Sequence, residues 1–117
     1  MKRNLKIALL VLTIGLVSLP ASGKSLNPFQ GQEFDMQTCN VFMYMIQQAA
    51  GFHRIGMSDD DIVGVLKDEI RIYNNNPNNP VQLPQVAEKL NTFTKNLMRL
   101  GSVNPRYDFM SANCYVQ

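Results

Sequence analysis

The sequence of 117 residues contains few of the side chains that usually carry enzyme chemistry, since it has one histidine, two cysteines and 17% charged residues. No Ser-His-Asp order, glycine-rich phosphate loop or pair of carboxylates beside a base can be assembled from it. It also lacks the alternation of apolar and polar residues that is typical of strands. These absences disfavour an enzyme, and no cofactor is expected. They also disfavour an all-β fold. The length allows one compact domain.

No apolar run reaches the ~20 residues that span a bilayer. The N terminus instead has three basic residues within 1–6, an uncharged stretch at 7–17 and small residues at 21–23. This order is typical of a secretory signal peptide. We therefore expect residues 1–23 to be removed and the mature chain to begin at Lys24 without a membrane anchor. The protein is then expected to be periplasmic or secreted.

An excess of charge of one sign is also lacking once the leader is left out. Three of the 11 basic residues lie in 1–23 and none of the 9 acidic residues does, which leaves eight against nine, a formal charge of −1. The net positive charge of the whole chain therefore comes from the predicted signal peptide. A nucleic-acid partner is not expected, because the mature chain has no excess of positive charge with which to bind phosphates.

The two cysteines, Cys39 and Cys114, both lie in the mature part of the chain. An even number of cysteines in an exported protein predicts a disulfide, because the compartment is oxidising. A bond between them would close most of the mature domain, and the chain-entropy estimate for such a loop is roughly 4 kcal/mol. We expect a structural bond; the alternative is two independent thiols.

The remaining apolar residues recur at helical spacing, and the first helix carries two apolar stripes, which predicts a central position. The predicted fold is all-α, a small bundle of three main helices plus a short C-terminal helix, closed by the disulfide. We expect an irregular leader at 24–34, from which Phe29 and Phe34 pack down. A helical domain at 35–117 follows, with helices that start near Asp35, Ser58, Pro84 and Asn104.

Three glycines carry specific predictions. Gly56 and Gly101 are expected to end the first and third helices, since glycine adopts the left-handed conformation without strain. Gly64 interrupts the second helix and predicts close approach to the first helix. The third helix is expected to bury one face up to Gly101, formed by Val86, Leu90, Phe93, Leu97 and Leu100.

Candidate chemical sites have simpler structural interpretations. His53 lacks a matching metal ligand or nucleophile, so we expect a structural or helix-capping role at the end of the first helix. Met43 and Met45 could suggest a copper site, but residues two apart on a helix point about 200° from each other, which favours core packing. The run 59–61 of three aspartates lacks the glycine turn of a calcium loop. It favours a capped helix start with Arg54 pairing across the turn.

The cysteines and helix boundaries form a loose pattern along the chain, which consists of Cys39, a helix ending at Arg54 and Gly56, a new helix start at Ser58 and Asp61, and the terminal Cys114. It resembles uncharacterised small periplasmic proteins of Gram-negative bacteria, in which one cysteine opens a helix and another closes the chain. It is similar, more weakly, to the helical, disulfide-linked immunity proteins that neutralise amidase effectors of type VI secretion. No functional residue carries over from either group.

The segment 74–80 contains only asparagine and proline and is predicted to be an exposed loop between two helices. Loops on rigid scaffolds often carry recognition. We therefore expect a non-catalytic periplasmic module that binds an unknown protein, as an immunity protein or inhibitor, with a homodimer also allowed. The alternative is a stress chaperone similar to the small acid-activated periplasmic chaperones. The candidate partner surface consists of Asn75, Asn76, Asn78 and Asn79.

Overall fold

The computed structural model describes residues 26–115, and the predicted signal peptide and cleavage point lie outside them. Within this range the protein is an all-α bundle, as predicted, with no strand and with one isolated parallel bridge between Phe34 and Cys114. Three main helices and a short last one follow in order. They are α1 (Met36–Arg54), α2 (Asp59–Asn75), α3 (Ala87–Arg99) and α4 (Pro105–Asn113).

Helix α1 is the central element, as its two apolar stripes predict. Asp35 caps its start, because the carboxylate accepts a hydrogen bond from the Thr38 N–H at 2.8 Å. Gly56, with φ of +83°, follows its end. The helix packs against α3 and α4 and, less extensively, against α2. Its buried side chains are Thr38, Cys39, Phe42, Met43, Met45, Ile46, Ala49 and Ala50.

Helix α2 begins as predicted, since the Ser58 hydroxyl accepts a hydrogen bond from the Asp61 N–H at 3.2 Å. Its buried stripe consists of Ile62, Leu66 and Ile70. The predicted close approach at Gly64 is wrong, because Gly64 is exposed and a Cβ there would meet no atom within 4 Å. Gly64 lies two residues from Ile62, so it points away from the stripe that is buried.

Helix α3 starts at Ala87, three residues after the predicted Pro84. The reason is tertiary: Leu83 is buried, and its backbone N–H and C=O both bond to the Asn74 side chain, which holds this segment outside the helix. Leu100 is 63% exposed and not part of the buried face as predicted, because the helix ends at Arg99 and Leu100 is the cap residue. Gly101, with φ of +86°, follows as expected.

Helix α4 is the predicted short fourth helix. The Asn104 side chain accepts a hydrogen bond from the Tyr107 N–H at 3.2 Å, and Pro105 occupies the first turn. Phe109 is fully buried and Met110 packs partly against the core. The helix therefore brings Cys114 back to the start of α1.

A cluster of phenylalanine rings forms the centre of the core. The leader contributes two of these rings, since Phe29 is fully buried and Phe34 partly buried. Neighbouring ring centroids are 5.3 to 6.2 Å apart, mostly in edge-to-face arrangements that aromatic pairs prefer. The expectation that both leader phenylalanines pack down is confirmed. The cluster consists of Phe29, Phe34, Phe42, Phe93 and Phe109.

The predicted disulfide joins Cys39 to Cys114, with Cα atoms 5.9 Å apart. Hydrogen bonds reinforce this junction, because the Phe34 N–H donates to the Asn113 C=O at 2.7 Å and the Tyr115 N–H donates to the Phe34 C=O at 2.8 Å. The end of the described chain thus pairs with the leader just before α1. The disulfide and these bonds hold the two ends of the bundle together.

Candidate functional site

The asparagine loop is ordered by its own side chains. The Asn76 side-chain oxygen accepts a hydrogen bond from the Asn78 N–H at 3.0 Å, and the Asn79 amide donates to the Tyr73 C=O at 2.8 Å. Asn75 and Asn78 are exposed. The loop is therefore fixed to the end of α2, and the structure places two of its four candidate residues, Asn76 and Asn79, at the edge of a groove.

This groove lies between α1 and α2, and we call it the α1–α2 groove. It encloses about 300 Å³ and is open to solvent. Two of its side chains are large, apolar and mostly exposed, since Tyr44 is 58% and Ile72 is 61% exposed. Exposed apolar side chains that converge on a concave surface are typical of binding sites. The lining consists of Val41, Tyr44, Met45, Glu69, Ile72, Tyr73, Asn76 and Asn79.

The groove exists because each helix presents residues outside its core stripe to the same opening, and all of them except Glu69 are uncharged. On α2, Glu69 and Ile72 stand on either side of Ile70 in sequence, which turns them about 100° and 200° around the helix from that buried residue. On α1, Val41 and Tyr44 have the same three-residue spacing outside the core stripe. The two flanks face the same opening, and no other described element covers it.

Glu69 is the one charged side chain in the groove lining. It is partly buried, and this burial raises the pKa of its carboxyl group, while a hydrogen bond from the Gln48 side chain acts in the opposite direction. The Gln48 amide also donates to the Tyr44 hydroxyl at 3.3 Å. Among residues 26–115, no lysine or arginine pairs with Glu69.

A second polar cluster joins the end of α1 to α2 and α3. His53 Nε2 lies 2.7 Å from Asn91 Oδ1, and the Asn91 amide donates to Asp59 Oδ1 at 3.3 Å. Lys95 Nζ lies 2.7 Å from Asp59 Oδ2, and this hydrogen bond is the main cause that lowers the pKa of Asp59. The predicted pairing of Arg54 with the aspartates is wrong, because Lys95 from α3 takes that place.

His53, for which a structural or helix-capping role is expected, thus contacts a side chain of α3 from the end of α1. Asn91, which joins His53 to Asp59, is an amide, and its side chain takes up and releases no proton at neutral pH. This polar cluster connects three helices at one end of the bundle. An open, mixed-charge cavity of about 450 Å³ lies beside it, between α2 and α3.

Met43 and Met45 of α1 are core residues, since Met43 is 6% and Met45 is 1% exposed. In the part of the chain that the structure describes, no three or more histidine, cysteine, aspartate or glutamate side chains are grouped as they would be around a metal ion. None of the helices within residues 26–115 has the length and apolar character needed to cross a membrane.

The sequence alone did not single out Tyr44, Glu69 or Ile72 as site residues. The available signal was the three-residue spacing of Val41 and Tyr44 on α1 and of Glu69 and Ile72 on α2, but this spacing does not show that the two flanks share an opening. Comparison with protein-family models, curated proteins and solved structures gives no match. The candidate site therefore rests on the geometry of the α1–α2 groove.

Proposed function

We propose that this protein is a non-catalytic, extracytoplasmic binding module that holds an apolar segment of a protein partner in the α1–α2 groove. The observation that carries the proposal is the exposure of Tyr44 and Ile72 in a concave surface that Val41, Met45 and Tyr73 also line. Two flanking helices with apolar side chains form the kind of groove that accepts an amphipathic helix. Asn76 and Asn79 at its edge offer hydrogen bonds to the same partner.

The scaffold suits a binder that works outside the cytoplasm. A disulfide closes a loop with a sequence separation of 75 residues, and disulfides persist in oxidising compartments. The basic and apolar N-terminal segment supports export to the periplasm or secretion. Within this class, an immunity protein or inhibitor is our leading assignment, because a rigid, stapled surface loses little entropy on binding. A gene for a secreted effector beside this one would support the immunity role.

A display library of random 12-residue peptides tests the groove while the natural partner is still unidentified. Selection on the purified protein should enrich apolar peptides. Burial of the Ile72 side chain by a bound peptide contributes about 1.5–3 kcal/mol to the binding free energy, so Ile72→Asp should lower the affinity for the enriched peptides by roughly 10-fold to 100-fold. Val103→Asp is the matched control, since Val103 is 91% exposed and lies outside the groove.

The control should bind the peptides like the unaltered protein. Absence of enrichment over a protein-free surface would overturn the proposed function, and so would equal losses in both variants. Circular dichroism checks that both variants remain folded. If sedimentation instead shows a concentration-dependent dimer that Ile72→Asp disrupts, the groove is the interface between two copies and the binding module is rejected.

A second candidate is a chaperone similar to the acid-activated periplasmic kind. Glu69 is the observation that favours it, because its protonation leaves the groove lining without charge. Such a chaperone should bind an apolar dye and protect a client from aggregation near pH 2 to 3, where acid-expanded states expose apolar surface. A protein that stays compact there and protects no client is not a chaperone of this kind.

A further inference from the structure

We propose that the segment held in the α1–α2 groove carries a lysine or arginine side chain that pairs with the Glu69 carboxylate. This inference rests on the proposed function and names the chemistry of the partner at the same site. Glu69 is the one charged side chain among the groove residues and comes from the wall formed by α2. The rest of the lining supplies apolar surface and two tyrosines, one from each helix.

The Glu69 carboxylate has no cationic partner among the described residues. Its neighbour Asp68 has one, since Arg71 Nη2 lies 3.5 Å from Asp68 Oδ1 on the exposed side of α2. Glu69 receives a hydrogen bond from the Gln48 side chain instead. A carboxylate partly removed from water is stabilised by a charged donor more than by a neutral amide. A bound partner can supply that donor.

The walls of the groove suit a long basic side chain. Tyr44 on α1 and Tyr73 on α2 place aromatic rings in the same groove as Glu69. Ring faces attract ammonium and guanidinium groups. The stem of a lysine or arginine is apolar and packs along side chains such as Val41 and Ile72, while its charged end reaches a carboxylate. Such a side chain therefore matches the groove better than a small cation without an apolar stem.

Competing occupants of the groove are less favourable. An acidic segment would place its charge against Glu69, and like charges at close range are unfavourable. A second copy of this chain, docked symmetrically through the groove, would bring two Glu69 side chains toward each other. A purely apolar segment would cover Glu69 without a charged partner, which is costly. A segment with apolar residues and one basic residue has none of these unfavourable contributions to its binding free energy.

The test uses the peptides enriched from the 12-residue library on the unaltered protein. The enriched set should contain a lysine or arginine at a constant spacing from its apolar residues. One such peptide is then compared with the same peptide in which norleucine or glutamine replaces the basic residue. Affinities are measured for the unaltered protein, Glu69→Gln and Asp68→Asn. The last is the matched control, because it removes the same charge from the preceding residue of α2.

Glu69→Gln should lower the affinity for the basic peptide by about 10-fold or more, since a hydrogen-bonded charge pair partly removed from water contributes at least this factor to binding. Glu69→Gln should bind the norleucine peptide at least as tightly as the unaltered protein does, because covering an unpaired carboxylate is costly. Asp68→Asn should change the affinity for either peptide by no more than about twofold, because exposed ion pairs contribute little. For the unaltered protein, the affinity for the basic peptide should fall as acid protonates Glu69. This pH dependence should disappear in Glu69→Gln.

Failure of the basic partner is distinguishable from failure of the proposed function. If no peptide is enriched, the proposed function fails and this inference fails with it. If apolar peptides without a basic residue are enriched, or if Glu69→Gln binds every peptide like the unaltered protein, only the basic partner is rejected. Tighter peptide binding at acidic pH would also reject it and would favour the chaperone candidate. Unfolding midpoints of the two variants that are not below that of the unaltered protein exclude a folding defect as the cause of a loss.

Discussion

Replacement of Asn113 by aspartate tests how the leader is held on the bundle. Asn113 is fully buried at the end of α4. Its amide donates to the Phe29 C=O at 2.7 Å and to the Gln32 C=O at 3.0 Å, and its oxygen accepts from the Asn27 amide at 3.2 Å. Aspartate has nearly the same shape, so Asn113→Asp removes the two donated bonds with little change in packing.

The expected loss of stability depends on whether the carbonyl groups of Phe29 and Gln32 find another hydrogen-bond donor in the variant. A buried polar group without a partner costs about 1–3 kcal/mol. Phe29 is fully buried, whereas Gln32 is exposed, so water can replace the bond to Gln32 but not the bond to Phe29. We expect Asn113→Asp to lower the free energy of unfolding by about 2–4 kcal/mol at neutral pH, against a total of roughly 5–15 kcal/mol for a small domain.

The loss should depend on pH in a defined direction. The new carboxylate faces two carbonyl oxygens, so its pKa in the folded protein should rise above its unfolded value of about 3.9. A group of this kind favours folding below its unfolded pKa, and this benefit is lost as the pH rises through the folded pKa. The destabilisation by Asn113→Asp should therefore be largest at neutral pH and smaller at pH 4.

Urea unfolding of the oxidised protein at pH 7 and pH 4 provides the measurement. Asn78→Asp is the control, because Asn78 is exposed in the loop after α2 and takes part there through its backbone N–H. In thermal unfolding, the expected loss corresponds to about 10–30 °C in Tm for a domain of this size. The anchoring role of Asn113 is refuted if the two variants differ by less than about 1 kcal/mol at pH 7, or if their difference grows in acid.

Joint replacement of Cys39 and Cys114 by serine should lower the free energy of unfolding by about 2–4 kcal/mol, because the disulfide restricts the unfolded chain. Circular dichroism should still show helices at low temperature. A loss of stability smaller than about 1 kcal/mol would contradict this prediction. Asp59→Asn should destabilise the protein at neutral pH in urea unfolding, because the hydrogen bond from Lys95 lowers the pKa of Asp59. This difference should vanish as acid protonates Asp59 in the unaltered protein. Glu69→Gln should unfold at higher urea than the unaltered protein at neutral pH, since burial raises the pKa of Glu69 and its ionised form opposes folding. The advantage should disappear below about pH 4, where the carboxyl group is protonated in both states, and an advantage that persists there would contradict it.

Features that depend on neighbouring residues could be predicted from the sequence. Ser58 and Asn104 predicted two helix starts, because a side-chain oxygen satisfies the free N–H groups of the first turn. Gly56 and Gly101 predicted two helix ends, because they adopt positive φ without strain. The disulfide followed from the even cysteine count and the expected compartment. Each of these features depends only on local chain geometry or composition.

Features that depend on residues distant in sequence were set by the packing of the helices. The start of α3 moved to Ala87 because the Asn74 side chain binds Leu83 across a loop. Asn113 became a buried anchor because the leader returns to the end of α4. The partly buried state of Glu69 arises from two helix flanks that meet at one opening. Spacing along a helix shows which residues share a face, whereas the opposing surface and its distance are set only when the helices pack together.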